Sequence, residues 1–430
     1  MVRLISDFVN RKIALRPNLR GILENTGWLF FDKVLRLSIG LIVGVWLARY
    51  LGPEQFGILS YVTTIVALFG AISGLGLYGI VVRDLVRKPD GADVTLGTAF
   101  VLQLIGGTFA CLLIVASVAI LRPVDELVKI MAAMLSFTLI FKAADVAKYW
   151  FESQGTLKYV VWVENGVFLS LATFRVFLIA TEASLLAFVW LIVAEAFFSS
   201  VALLLVYSKK NKNLFRWRVS LSRAKCLIIE SWPLIFGAAA SMINMRMDQV
   251  MLGTMVNDSV VGNYSAAVRL AEIWLMVPAV IGPAIYPAII GAKEISEELY
   301  RRRVLQVIRL MASFVLPAAV VISLLSGGIV TLIYGQQYFS AGAYLAVYVW
   351  VGVPYMIFFV LNQMLHIEAM LRVGFVVGIF TVLINIPLNL ILIPRYEGLG
   401  AAYATLITAF LSIAIYLVCL NRKTRIFFGR

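Results

Sequence analysis

Basic side chains set inside long apolar runs are the residues of this 430-residue chain whose types and spacing carry chemistry. Lys33 and Arg36, with Asp32 beside them, lie in the first such run, Arg246 in the seventh and Arg269 in the eighth. A cation at membrane depth costs roughly 3 kcal/mol or more, so it is kept facing water or a ligand. The chemistry this predicts is the holding of an anion, in a cationic cavity. Three residues apart, Lys33 and Arg36 occupy neighbouring parts of one helical face. The alternative is internal neutralisation: Asp32 and Arg36 have the four-residue spacing of a helical pair, and Arg269 and Glu272 the three-residue spacing. Lys33 and Arg246 have no such neighbour, so a cationic surplus is expected.

The acids inside the apolar runs suit a different task. Asp248 lies two residues from Arg246 and so on nearly the opposite side of its helix, where it would pair with another element, bind a coupling cation or close a gate. Glu195 in the sixth run, with Glu164 and Arg175 in the fifth, suits pairing between helices, with ion coupling as the alternative. No Gly-rich phosphate loop, nucleophile elbow or zinc spacing is visible. No catalytic residues, metal ligands or resident cofactor are therefore expected, and the chain does not read as an enzyme. Cys111, Cys226 and Cys419 give no disulfide framework. His366, the single histidine, reads as an interfacial polar residue or, alternatively, a proton relay.

Elements able to position such residues follow from composition. Hydrophobic residues make up 62% of the chain and charged ones 14%, with a mean hydropathy of +0.94. That describes a polytopic membrane protein and excludes an ordinary soluble domain. About 20 apolar residues cross a bilayer, and the pattern recurs at 26–50, 57–82, 96–121, 127–147, 159–180, 184–207, 233–255, 262–290, 304–334, 342–365, 373–393 and 398–420. The runs are continuous rather than alternating, which predicts about twelve helices and not a barrel. Pro278, Pro283, Pro287 and Pro387 interrupt two of them and would either act as hinges or be tolerated statically.

Lys and Arg collect in alternate loops: Arg3 to Arg20, Arg83 to Lys88, Lys209 to Lys225, Arg301 to Arg303 and Arg422 to Arg430. Short basic loops stay cytoplasmic, so with twelve spans both termini are expected there. The same loops and their attraction to anionic lipid heads account for the net charge of +14. No nucleic-acid partner is expected, because no aromatic-rich basic surface lies outside the apolar runs. The amino terminus lacks the pattern of a secretory signal and reads as a retained segment.

An internal repeat organises the spans. "LGPEQFGILSYVTTI" after the first run and "VNDSVVGNYSAAVRL" after the seventh align Gly57 with Gly262 and Ser60 with Ser265, each pair 205 residues apart. The expected organisation is a cytoplasmic segment 1–25, a six-helix lobe 26–207, a basic linker 208–228, a second six-helix lobe 229–420 and a cytoplasmic tail 421–430. Two lobes of like orientation predict a pseudo-twofold axis along the membrane normal, with the site at the repeat interface.

The runs "WLARYLGPEQFGILSYVTTIVALFGAISGLGLYGIVVRDLVR" and "RMDQVMLGTMVNDSVVGNYSAAVRLAEIW" resemble the Wzx-type polysaccharide-biosynthesis flippases of the multidrug/oligosaccharidyl-lipid/polysaccharide (MOP) superfamily. The resemblance implies an all-α membrane fold of two six-helix bundles forming a V. It also implies movement of undecaprenyl-pyrophosphate-linked oligosaccharide, such as an O-antigen repeat unit, across the bacterial inner membrane by alternating access. Arg36 and Arg269 fall on the spans that carry cavity cations in the lipid II flippases of that superfamily, and with Lys33 and Arg246 they are the expected pyrophosphate binders. By the same resemblance Asp248, Asn385, Asn389 and Thr405 match polar groups that hold sodium, although the eleventh span here has no carboxylate, and the coupling ion is left as H+ or Na+. Asp32, Glu272 and Glu195 are supporting candidates. Membrane lipids, a polysaccharide polymerase and a chain-length regulator are the further partners implied. The multidrug extruders (MATE type) share the fold and are the alternative, but the resemblance gives them an acid-lined cavity for cationic drugs.

Overall fold

The computed structural model describes residues 17–211 and 214–424. The basic residues from Arg3 to Arg16 and from Arg425 to Arg430, expected on the cytoplasmic side, lie outside the described residues. Every regular element described is helical: α1 (Pro17–Gly74), α2 (Tyr78–Arg87), α3 (Ala92–Leu121), α4 (Glu126–Phe141), α5 (Asp145–Ser153), α6 (Lys158–Ala180), α7 (Leu185–Asn211), α8 (Leu221–Met255), α9 (Asp258–Ile295), α10 (Glu297–Tyr334), α11 (Phe339–Tyr348), α12 (Gly352–Ile367) and α13 (Leu371–Thr424). Local chemistry sets several boundaries. Asn257 and Ser296 accept the Val260 and Leu299 amides at 2.9 and 3.1 Å, satisfying first-turn donors of α9 and α10 that have no intrahelical partner. Asp125 caps α4 in the same way through Val128.

Spans that read as separate in the sequence run together in two places, and one that reads as single is divided. The first two meet inside α1 at Gly52, whose φ of 71° and ψ of 171° lie where only glycine sits without strain, immediately before Pro53. The last two meet inside α13 at Glu397, φ 49°. The tenth is α11 and α12 joined by one 3-10 turn, Val349–Val351. The second run also ends earlier than its apolarity suggests, at Gly74, and after Leu75 and Gly76 at positive φ it resumes as the short amphipathic α2.

Nine segments of the described residues are long and apolar enough to cross a membrane. Asp32–Arg87 and Arg372–Asn421, at 56 and 50 residues, each exceed twice the ~20 residues that one crossing needs. Large apolar side chains point outward along these segments, with Leu324 80% and Leu332 78% exposed. A water-soluble surface would hide such residues. The protein is an all-α, multi-pass membrane protein.

Two compact units divide the chain: 1–47 with 69–238, and 48–68 with 239–430. In the first, Leu77, Val81, Leu96, Val146, Phe151 and Tyr207 form a core between α2, α3, α5 and α7. The segment after α7 is pinned to that core, because Trp217 donates its indole N–H to Tyr207 at 3.0 Å and the Arg218 amide donates to the Asp93 carbonyl at 3.2 Å. In the second, Tyr300, Val304, Met311, Leu361, Met364 and Tyr416 join α10, α12 and α13, and α9 packs against α10, α11 and α12.

The repeated glycines lie against each other within the second unit. A Cβ on Gly57 would stand 1.7 Å from the Asp258 carbonyl oxygen, and one on Gly262 1.9 Å from that of Pro53. Each glycine thus meets the carbonyl four residues before its repeat equivalent. Only hydrogen fits on either helix at that crossing.

Candidate functional site

In the first unit the intramembrane charges form a ladder. Arg36 donates through Nε to Asp32 Oδ1 at 2.8 Å, one turn back on α1, and through Nη2 to Glu164 Oε2 on α6 at 3.2 Å. Glu164 also takes Lys148 Nζ of α5 at 3.1 Å, and the Arg36 guanidinium lies 5.4 Å from the centre of the Phe168 ring. Asp32 and Glu164 are 18% and 15% exposed and Arg36 33%, so the ladder is sheltered but open to a small solute. Lys33, on the adjoining side of α1, is exposed and has no carboxylate partner among the described residues. Trp28, a further turn back on the Asp32–Arg36 face, packs against Trp162 at 5.8 Å between ring centres, and Trp162 is 66% exposed. Arg175 pairs with Glu195 at 3.1 Å, a bridge between α6 and α7.

The second unit holds two arginines in different circumstances. Arg246 of α8 pairs with Glu272 of α9 at 3.1 Å. Sequence spacing offered Glu272 to Arg269 and left Arg246 without a neighbour; the packing of α8 on α9 gives Glu272 to Arg246 instead. Arg269 lies over the Phe56 ring at 4.9 Å, a cation–π contact that orients the guanidinium without neutralising it. No carboxylate partners it among the described residues. Beside its paired arginine, each unit thus has a cation with no carboxylate partner among the described residues: Lys33 next to Arg36 in the first, Arg269 next to Arg246 in the second.

Asp248 is 4% exposed and faces a set of neutral donors. Tyr264 donates at 2.9 Å and Asn389 Nδ2 at 2.7 Å, and the Thr405 hydroxyl also donates to the carboxylate. Asn389 further donates to Asn385 Oδ1 at 2.9 Å, while its own Oδ1 is buried without a partner. A buried carboxylate lacking a cation is costly unless it is protonated or takes up an ion. Asp248 has no cationic side chain beside it among the described residues.

The sequence assigns Glu164, Arg175 and Glu195 to pairing between helices, but carries no signal that the partner of Glu164 is Arg36 on α1. Lys148 and Trp162 were not singled out. Their signal is an aromatic or charged residue at helical spacing from another intramembrane charge, which identifies a face but not its partner.

Residues 22–293 match the family described as polysaccharide biosynthesis protein, and residues 165–430 the family described as lipid II flippase MurJ. Among curated relatives, a probable flippase AglR of Haloferax volcanii is 28% identical over 196 residues, 44% of this chain and 41% of its own. The chain thus spans less than half the length of that relative. Among solved structures, the inward-facing conformation of a multidrug resistance MATE family transporter of the MOP superfamily superposes with a TM-score of 0.70 at 14% identity, over 92% of this chain and 96% of that one. Lipid II flippase MurJ in its inward closed conformation gives 0.67 at 13% identity, over 93% and 87%. At these identities the likeness is one of fold, and it extends equally to proteins that handle drugs and to one that handles a lipid-linked precursor.

Proposed function

Because the chain belongs to the polysaccharide biosynthesis protein family, with the fold of the MOP superfamily, we propose that it is a flippase for undecaprenyl-pyrophosphate-linked oligosaccharide. It acts in the bacterial inner membrane, moving the glycan from the cytoplasmic to the periplasmic leaflet by alternating access, and its work is transport without bond-making. The observation that carries this reading is the pair of cations without a carboxylate partner among the described residues, Lys33 beside Arg36 and Arg269 beside Arg246. A pyrophosphate cannot cross hydrocarbon without compensation of its charge, and guanidinium and ammonium groups supply it through charge-assisted hydrogen bonds. Arg36 and Arg246, already balanced by carboxylates, hold the local geometry and share their remaining N–H donors. Trp162, broad, exposed and backed by Trp28, offers a sugar ring an apolar face beside the hydroxyl-binding Asp32 and Glu164.

Coupling falls to Asp248. Its carboxylate, the orphaned Asn389 Oδ1, Asn385 Oδ1 and the Thr405 hydroxyl are all oxygen donors, which suits a hard monovalent cation or, at the carboxylate alone, a proton. These residues would hold the coupling ion, and its charge would offset that of Asp248.

Flipping of a fluorescent undecaprenyl-pyrophosphate oligosaccharide in proteoliposomes tests the reading, with Arg36→Ala and Arg269→Ala proteins of equal insertion for comparison. Native flipping that both substitutions abolish upholds it. Absence of flipping together with export of cationic dyes transfers the protein to the multidrug extruders, whose fold it shares.

A further inference from the structure

A second concentration of basic side chains lies apart from the intramembrane charges, around a cavity of about 470 Å³ in the first unit. Three helices and one turn build it. From α2 come Arg83, Asp84 and Arg87, from the turn that follows Lys88 and Gly91, from the first turn of α3 Val94 and Thr95, and from α8 Arg223, Cys226 and Glu230. The three α8 residues, at spacings of three and four, share one helical face.

The charges there do not cancel. Asp84 is taken by Arg83 at 2.8 Å and by Arg223, and Glu230 by Arg83 at 2.5 Å. Both carboxylates of the cavity are thus engaged, and Arg87 and Lys88 have no partner among the described residues. Thr95 is 7% exposed, lines the cavity, and its hydroxyl makes no hydrogen bond among the described residues. A hydroxyl of a largely buried residue that lines a cavity and has no protein partner is free to bond to what occupies that cavity. Gly91 and Val94 also line the cavity, so the N-terminus of the 30-residue α3, whose dipole favours an anion, stands at its wall. Two free cations, a hydroxyl donor and the positive end of a helix are a fitting set for a tetrahedral oxyanion.

We propose that this cavity is an anion site that takes a phosphate group, carried by a phospholipid head or by a soluble phosphate compound. Arg87 and Lys88 neutralise it, and Thr95 and the start of α3 orient it. The Arg83–Asp84–Arg223–Glu230 network fixes the walls by tying α2 to α8. The inference rests on these residues alone and is independent of the cargo proposed above.

Cys226 supplies a reporter inside the site. It is exposed, with its thiol 3.3 Å from Glu230 Oε1, whereas Cys111 and Cys419 lie in apolar helices. The experiment follows alkylation of each cysteine by N-ethylmaleimide, by mass spectrometry, on the full chain in a neutral detergent titrated with inorganic phosphate. The same measurement is made after reconstitution in phosphatidylglycerol or phosphatidylcholine vesicles. Phosphate should slow Cys226 several-fold and leave Cys111 and Cys419 unchanged. Arg87→Ala combined with Lys88→Ala should raise the half-protecting phosphate concentration about tenfold or more, as expected when charge-assisted contacts are lost. Thr95→Val, which preserves shape, should raise it by less, and it carries the test if the double variant folds poorly. Protection by inorganic phosphate identifies a soluble phosphate as sufficient, and protection only by phosphatidylglycerol assigns the site to a lipid head; either upholds the proposal. Equal slowing by chloride at matched ionic strength, equal slowing of all three cysteines, or no protection in any arm overturns it.

Discussion

Arg36 and Lys33 are neighbours in sequence with opposite electrostatic positions. Arg36 stands between two carboxylates, one of which also serves Lys148, so its removal leaves Asp32 and Glu164 with a single ammonium between them. With a third of Arg36 open to solvent, Arg36→Ala should cost about 1–2 kcal/mol of stability, less than the ~3–5 of a fully buried pair. Lys33→Ala removes no pairing and should leave thermal stability unchanged while lowering transport. Thermal unfolding in detergent and flipping in proteoliposomes, measured on the same preparations, separate the two, and a Lys33→Ala protein with native flipping would remove that lysine from the site. Asp248→Asn keeps the volume but presents an amide to a carboxylate's ring of donors. Transport by that protein should lose its response to an imposed sodium or proton gradient, and a retained response would place coupling elsewhere. The pairing of Asp32 with Arg36 was legible in the sequence because both lie on one helix, four residues apart. The Arg246–Glu272 and Arg36–Glu164 pairs were not, because each is decided by which faces of two helices meet, which one-dimensional spacing does not encode.

At the scale of elements, the crossing of α1 and α9 at Gly57 and Gly262 is the tightest constraint in the second unit. Alanine at either position would drive a methyl to within 2 Å of a backbone carbonyl oxygen, and no rotamer change relieves a clash between a Cβ and a main chain. The helices must part or the alanine protein must adopt another arrangement, at a cost of about 1–3 kcal/mol or more. Gly57→Ala and Gly262→Ala should each lower the unfolding temperature and impair flipping, whereas Gly237→Ala, where nothing approaches within 4 Å, should do neither. A Gly262→Ala protein with native stability and flipping would show that the two backbones do not need this contact. The sequence repeat made the two glycines equivalent but could not make them neighbours. Apolar runs likewise gave the helices and the interruption at Glu397, between the last two runs, but not the break after Gly74, since a turn inside an apolar run changes backbone angles without changing hydropathy. The linker shows the same limit: its basic composition hides that α8 already begins at Leu221 and that Trp217 is anchored on Tyr207.

For the whole molecule, direction of transport depends on which face of the membrane the basic segments occupy. Lys and Arg resist translocation, and the anionic cytoplasmic leaflet attracts them by about 1 kcal/mol each. Arg83, Arg87, Lys88, Arg216, Arg218, Arg223 and Lys225 belong to two chain segments that the first unit holds together through the Arg223–Asp84 and Arg83–Glu230 pairs. They must therefore share a side, and seven such charges make the reversed orientation unfavourable by several kcal/mol. Cys226 sits among them and is exposed, so a protein carrying Cys111→Ser and Cys419→Ser reports the orientation through one thiol. A membrane-impermeant maleimide should leave that protein unmodified in intact spheroplasts and label it in inverted inner-membrane vesicles. Labelling in intact spheroplasts would put the basic side in the periplasm and reverse the route proposed for the glycan.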